Sequence, residues 1–210
     1  MSTSPWLAHI SDDKKEQTIF AHLQGTAAQA RVFAGPFGGE EQAQLAGLAH
    51  DIGKYTQAFQ KRLRGMTSPV DHSTAGAAEC WQLRQPFAAF AVAGHHGGLP
   101  DGGSQTDGPD QSTLWGRIKR KERGLLEPYE SWRQEITLPQ AGVPAFVRKQ
   151  LGPEWVFLPE CFIPAWWMPT FWTQRLLWKV KAGRSARLPW SSCETNFRIT
   201  FPAGSQPRES

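Results

Sequence analysis

The chain has 210 residues, 23 Lys and Arg against 19 Asp and Glu, a net charge of +4, and three cysteines, Cys80, Cys161 and Cys193, with no CxxC pair. That length suits one domain, or one domain and a tail. The absence of a long apolar run, of a basic-then-apolar N-terminus and of paired cysteines argues against a membrane span, a secretory leader, a disulfide framework and a thiolate zinc site, and a cytoplasmic protein is expected.

The charge is unevenly placed. Residues 154–210 hold 7 Lys and Arg against 4 Asp and Glu, so most of the basicity belongs to the tail and is no signal for nucleic acid by itself.

The first hundred residues carry a helical period. "EQTIFAHLQGTAAQARVF" places Ile19, Phe20, Leu23, Ala27, Ala30 and Val32 roughly on one stripe. "EEQAQLAGLAHDIG" groups Leu45, Leu48, Ala49 and Ile52, with Glu40 and Glu41 in the first turn and Gly53 as a stop. "YTQAFQKRLRG" repeats Tyr55, Phe59 and Leu63 at a spacing of four. "DHSTAGAAECWQLR" and "PFAAFAVAGHH" follow, the second opening on Pro86 and closing on Gly97 and Gly98. No run alternates with period two, so the expected class is all-α. Residues 97–113 are rich in Gly, Asp, Ser and Pro and predict a loop, and a basic helix, "LWGRIKRKERGLL", comes next. Beyond Pro139 the pattern decays. The expected division is a folded domain over 1–150 and a tail over 151–210.

All six histidines precede residue 97 and all seven aspartates precede residue 111. His22 falls within a helix, His50 and Asp51 at a helix end, His72 at a helix start, and His95 and His96 at another end. Imidazole nitrogen with carboxylate oxygen is a ligand set for Mn, Fe, Co, Ni or Zn. Five imidazoles and a carboxylate exceed what one catalytic ion needs, whereas two ions sharing Asp51 would use them all. The run "RIKRKER" (Arg117, Lys119, Arg120, Lys121, Arg123) is a candidate DNA-backbone track or simply a solvated helix face.

Together "LAHDIGKYTQAFQKRL", "DHSTAGA" and "AVAGHHGGLPD", preceded by a helical "AHL", resemble the HD nuclease domain of the CRISPR-associated type I nuclease–helicase, over roughly residues 6–125. The resemblance implies a helical bundle of the HD superfamily that binds one or two divalent ions (Mn, Co, Ni, Fe, Mg or Zn) and cuts single-stranded DNA. By position it implies His22, His50, Asp51, His72, His95 and His96 as metal ligands. Asp51 and Lys54 are the catalytic candidates, with Lys54 near enough to steady a phosphate. Asp71 and Asp101 flank the motifs as supporting residues. The implied partners are single-stranded DNA, a type I CRISPR interference complex and a helicase domain that this chain lacks. An HD phosphohydrolase acting on nucleotides, or an inactive remnant, are the alternatives.

The resemblance also implies one more ligand, an Asp downstream in a helix of the form S-x-L-v-D-A-D-x-L-D-T-E, and no Asp follows Asp110. The expected position falls in the tryptophan-rich stretch "ECFIPAWWMPTFWTQR". Trp and Met have one codon each. Starting each codon one base earlier therefore forces Val-Asp-Ala from Trp167, Met168 and Pro169, and Leu-Asp from Trp172 and Thr173. Permitted synonymous choices complete "RMLYSCLVDADFLDTE". The tail is thus expected to be that helix read out of frame, poorly folded, with the shift upstream of Glu160. The nuclease activity expected of this chain is low.

Overall fold

The computed structural model describes residues 5–66 and 70–143. The expectations for residues 151–210, the out-of-frame stretch included, lie outside the described residues.

Helix α1 (Ile19–Ala34) starts where the Thr18 hydroxyl accepts a hydrogen bond from the Ala21 N–H at 3.2 Å. Ile19, Leu23, Ala27 and Ala30 are buried, but Phe20 and Val32 are 44% and 73% exposed. At about 100° per residue these two fall off the stripe set by the other four. Helix α2 (Glu40–Ala49) folds back on α1 with Leu45 and Leu48 inward, followed by a single 3₁₀ turn, Ile52–Tyr55. Tyr55 therefore belongs to that turn, and only Gln57–Leu63 forms α3, capped by Thr56.

A second helical pair, α4 (Ser73–Gln82) and α5 (Pro86–Gly94), packs against the first, chiefly through α2 with α5. The core between them is mostly alanine, with Ala43, Ala46, Ala49, Ala77, Ala78, Ala89 and Ala91 buried. Small side chains bring the backbones close. A Cβ on Gly76 of α4 would stand 1.9 Å from the Ala49 carbonyl oxygen, so α4 lies directly against the end of α2. The larger anchors Ile19, Leu23, Leu45 and Ile52 are fully buried, each contributing about 1.5–3 kcal/mol.

Helix α6 (Leu114–Glu122) packs on α4, with Thr113 as its cap. Buried Glu79 of α4 ties it down: one carboxylate oxygen accepts from Lys121 and from the Tyr129 hydroxyl at 2.9 Å, the other from Arg133 at 2.7 Å.

The described residues are mainly helical, as expected, with one addition. Strands β1 (Leu7–Ile10) and β2 (Glu16–Thr18) form an antiparallel hairpin with an irregularity between Leu7 and His9. The extra residue there, Ala8, leaves Leu7 and Ala8 both buried. The buried side chain of Gln60 holds the strand, accepting from the Leu7 N–H at 3.1 Å and donating to the Leu7 carbonyl at 2.9 Å. No helix among the described residues is long and apolar enough to cross a membrane.

Candidate metal centre

Helix ends bring the expected residues to one place. His50 and Asp51 follow the last residue of α2, His72 immediately precedes α4, His95 and His96 follow α5, and His22 projects from α1. Asp51 stands at the centre. Its Oδ2 lies 3.0 Å from Nε2 of both His22 and His50 and 2.9 Å from the Lys54 ammonium. Its Oδ1 lies 3.3 Å from Nε2 of His72 and 3.5 Å from that of His95. His72 and His96 face each other through their Nε2 atoms at 2.7 Å.

Three of the rings have their outer nitrogen against a backbone carbonyl. Nδ1 of His50 is 2.9 Å from the Gly47 oxygen, Nδ1 of His95 is 2.7 Å from that of Val92, and Nδ1 of His72 is 3.2 Å from that of Val70. A carbonyl only accepts, so each Nδ1 carries the proton and, in the neutral ring, Nε2 presents a lone pair to the centre. Burial holds the His50 pKa down to about 3 and lowers that of His72, in both cases outweighing the pull of Asp51. Burial would raise the Asp51 carboxyl but is outweighed by the groups packed on it, the Lys54 ammonium 2.9 Å from Oδ2 among them, and its pKa stays well below the ordinary carboxylate range.

At neutral pH an ionised carboxylate thus faces the lone pairs of the neutral His50 and His72 rings. The buried Oδ1 of Asp51 accepts no hydrogen bond among the described residues. Acceptors facing acceptors at these distances are repulsive unless a cation lies between them. The donor set fits a divalent ion: one ligand atom each from Asp51, His72, His95 and His96 lie within 4.8 Å of one another, as do those of His9, His22 and Asp51.

Residues 19–128 match the HD domain, a family of metal-dependent hydrolases that bind divalent ions, and the chain belongs to it. No curated protein matches the chain.

Lys54 does not project outward towards a substrate. The residue is only 4% exposed, and its ammonium sits on Asp51, 3.3 Å from Nε2 of His9 and 3.4 Å from the Ala8 carbonyl. Gly53, expected as a helix stop, has another reason to be glycine. A Cβ there would meet the backbone of His72, so Gly53 lets the turn carrying Asp51 and Lys54 touch the start of α4.

The basic residues of α6 are largely engaged within the fold. Arg117 donates to the Ser73 and Thr74 hydroxyls at 2.9 and 3.1 Å, Arg120 to Asp71 at 3.2 Å, and Lys121 to Glu79. Lys119 pairs with Glu122 at 3.3 Å, and Arg123 is exposed at the helix end. Asp101 serves through its backbone, accepting from the Leu114 N–H at 2.9 Å.

Asp71 caps the first turn of α4, which begins just after His72. Its Oδ1 accepts from the N–H groups of Ser73 and Thr74 at 3.1 and 3.2 Å, and its Oδ2 from the Thr74 hydroxyl at 2.6 Å. Burial works to raise its carboxyl, but the bonds from Thr74, then Arg117 and Ser73, outweigh it and leave the pKa below the ordinary 3.8. A depressed folded-state pKa means that the stabilisation is complete above the unfolded value and is lost as pH falls through the folded one. Asp71→Asn is therefore expected to cost about 1 kcal/mol at pH 7, with its partial exposure keeping the figure small. The gap in Tm from the parent protein should close below about pH 4. A gap of equal size in melts at pH 7 and pH 3 would contradict this account.

His9 is the residue that the sequence did not single out. It follows the irregular residue of β1, and its ring stands edge-on to His22 with centroids 4.9 Å apart. "WLAHIS" is too short to show a strand period, and the only available signal was a sixth histidine in a chain whose other five were already placed.

Proposed function

We propose that this HD domain is a divalent-metal-dependent nuclease that hydrolyses phosphodiester bonds of single-stranded DNA in CRISPR-type antiviral defence, in the cytoplasm. The observation that carries the hydrolytic part is the convergence of four imidazoles on one buried carboxylate. "HDIGK" is common to HD phosphohydrolases at large, and the finer assignment is supported by the "FQ" that follows it together with the "DHSTAGA" and "GHHGGLPD" elements read in the sequence. Its proposed partners are single-stranded DNA, a type I interference complex and a helicase domain.

Divalent ions bound by His22, His50, Asp51, His72, His95 and His96 would supply Lewis acidity and an activated water. The chain's own residues do the rest. The backbone carbonyls of Gly47, Val70 and Val92 hold three rings in one tautomer and orientation. Asp51 shares its two oxygens between two groups of rings. A site built mostly of neutral nitrogen repels an approaching phosphodiester less than a cage of carboxylates would.

One observation favours the second reading, a phosphohydrolase acting on nucleotides. The cations of α6 are taken up by Asp71, Glu79 and Glu122 and leave few charges to follow a polynucleotide backbone. The two readings separate in one assay. Circular single-stranded DNA and a panel of nucleotides are incubated with the chain and Mn, Co, Ni or Mg. Cleaved circles support the nuclease, whereas phosphate release from nucleotides with intact circles overturns it.

A further inference from the structure

His9 lies outside the ligand set taken from the resemblance, yet the structure places it beside that set. The Lys54 ammonium sits among three acceptors: Oδ2 of Asp51 at 2.9 Å, Nε2 of His9 at 3.3 Å and the Ala8 carbonyl at 3.4 Å. We propose that His9, His22 and Oδ2 of Asp51 form a divalent-cation site, whose place the Lys54 ammonium holds in the metal-free protein and leaves when the ion enters. The proposal rests on the reading of Asp51 as the centre of a metal site.

The chemistry of the partners supports it. An ammonium has donors and no acceptor, so the His9 nitrogen facing it presents a lone pair. That is the form in which imidazole binds a metal. Two imidazoles and a carboxylate suit Mn, Fe, Co, Ni or Zn and leave positions open for water and a phosphate oxygen. Oδ1 of Asp51 faces the His72 and His95 rings while Oδ2 faces this second group, so one carboxylate can serve two ions without sharing an oxygen.

The aim of His9 is built into the hairpin. The irregularity at Ala8 breaks the strand's alternation, and Gln60 clamps Leu7 on both its N–H and its carbonyl. Gln60 also donates to the Lys54 carbonyl at 3.1 Å, so one buried amide ties the strand bearing His9 to the turn bearing Lys54. The lysine has another partner close at hand. Its four-carbon stem is flexible, and its ammonium lies 5.1 Å from the centre of the Phe59 ring, a face that can accept a cation. Once displaced, it becomes a free positive charge beside a metal site whose substrate is an anion.

The test is a titration of the full chain with Mn²⁺ and Co²⁺, followed by calorimetry and by metal analysis after gel filtration. The parent protein is expected to take two ions. His9→Ala should keep one and weaken the other by about 10-fold or more. Lys54→Met should bind the second ion more tightly than the parent. Should His9→Ala fail to fold, His9→Gln keeps much of the side-chain volume and is expected to show the same loss. One ion per parent chain, or two ions bound unchanged in the His9 variants, overturns the proposal and leaves the Asp51 centre standing. Weaker binding in Lys54→Met overturns the exchange. No ion in any variant overturns the Asp51 centre itself.

Discussion

Asp51→Ala is expected to abolish divalent-metal binding and, separately, to destabilise the metal-free protein. The first effect follows from the position of Asp51, which meets His22, His50, His72 and His95 through its two oxygens. Without it no anion remains at the centre, and affinity should fall by at least about 100-fold. The second effect comes from Lys54, which is only 4% exposed. Removing Asp51 leaves a buried ammonium with neutral neighbours only, a change that costs about 3–5 kcal/mol when one partner of a buried ion pair is deleted. Asp51→Ala/Lys54→Met should therefore regain most of the stability and none of the metal affinity. Metal analysis and urea unfolding of the two variants read the effects independently. Unchanged metal stoichiometry in Asp51→Ala would sink the centre. A double variant no more stable than Asp51→Ala would sink the ion-pair account.

Gly53→Ala should do comparable damage without touching any charged or ligating group. The added Cβ would lie 2.3 Å from the His72 carbonyl oxygen, 2.6 Å from its Cα and 2.8 Å from its carbonyl carbon. All three are backbone atoms, which no change of rotamer can move aside. Either the turn holding Asp51 and Lys54 or the first turn of α4 must give way. Overpacking of this kind costs about 1–3 kcal/mol. The displacement falls between Asp51 and His72, where a loss of about 0.5 Å in placement already degrades a site. A lower Tm together with weaker metal binding is the expected pair of results. Gly25→Ala makes a suitable control, since Gly25 lies in α1 with nothing within 4 Å of its added Cβ. It should be neutral or stabilising by up to about 1 kcal/mol. Parent-like Tm and metal affinity in Gly53→Ala would show that the turn and α4 can separate freely.

The two variants also mark what the sequence could and could not convey. Apolar residues repeating every three or four positions located α1, α2 and most of α3, because that period is a local property of the chain, while Pro86 and the glycines after it marked α5 and a basic run marked α6. The same rule placed His50, His72 and His95 at helix ends. It overreached at Phe20 and Val32, which are apolar but point outward, since a stripe counted residue by residue tolerates about one step of error. Gly53 looked like a helix stop because glycine serves that purpose in many chains. Its actual constraint is the backbone of His72, nineteen positions away in sequence and invisible to any local pattern. The same limit applies to α6. A basic run predicts a charged face, but whether those charges meet solvent, DNA or Asp71 and Glu79 depends on which helix packs beside it. His9 was missed because a four-residue strand with an irregularity has no period to read.

The candidate ligands come from α1, the end of α2, the start of α4 and the end of α5, from positions 22 to 96 of the chain. An ion held there would act as a cross-link, closing several long loops of the polypeptide at once. Cross-links of that kind are conditional. They stabilise the folded state in proportion to the logarithm of free metal over its dissociation constant, about 4 kcal/mol at a thousandfold excess. A chelator would remove that reinforcement along with the chemistry, exposing the alanine-packed helices to unfolding and proteolysis. Metal supply would then govern how long each copy of the protein survives, and not merely whether it turns over substrate.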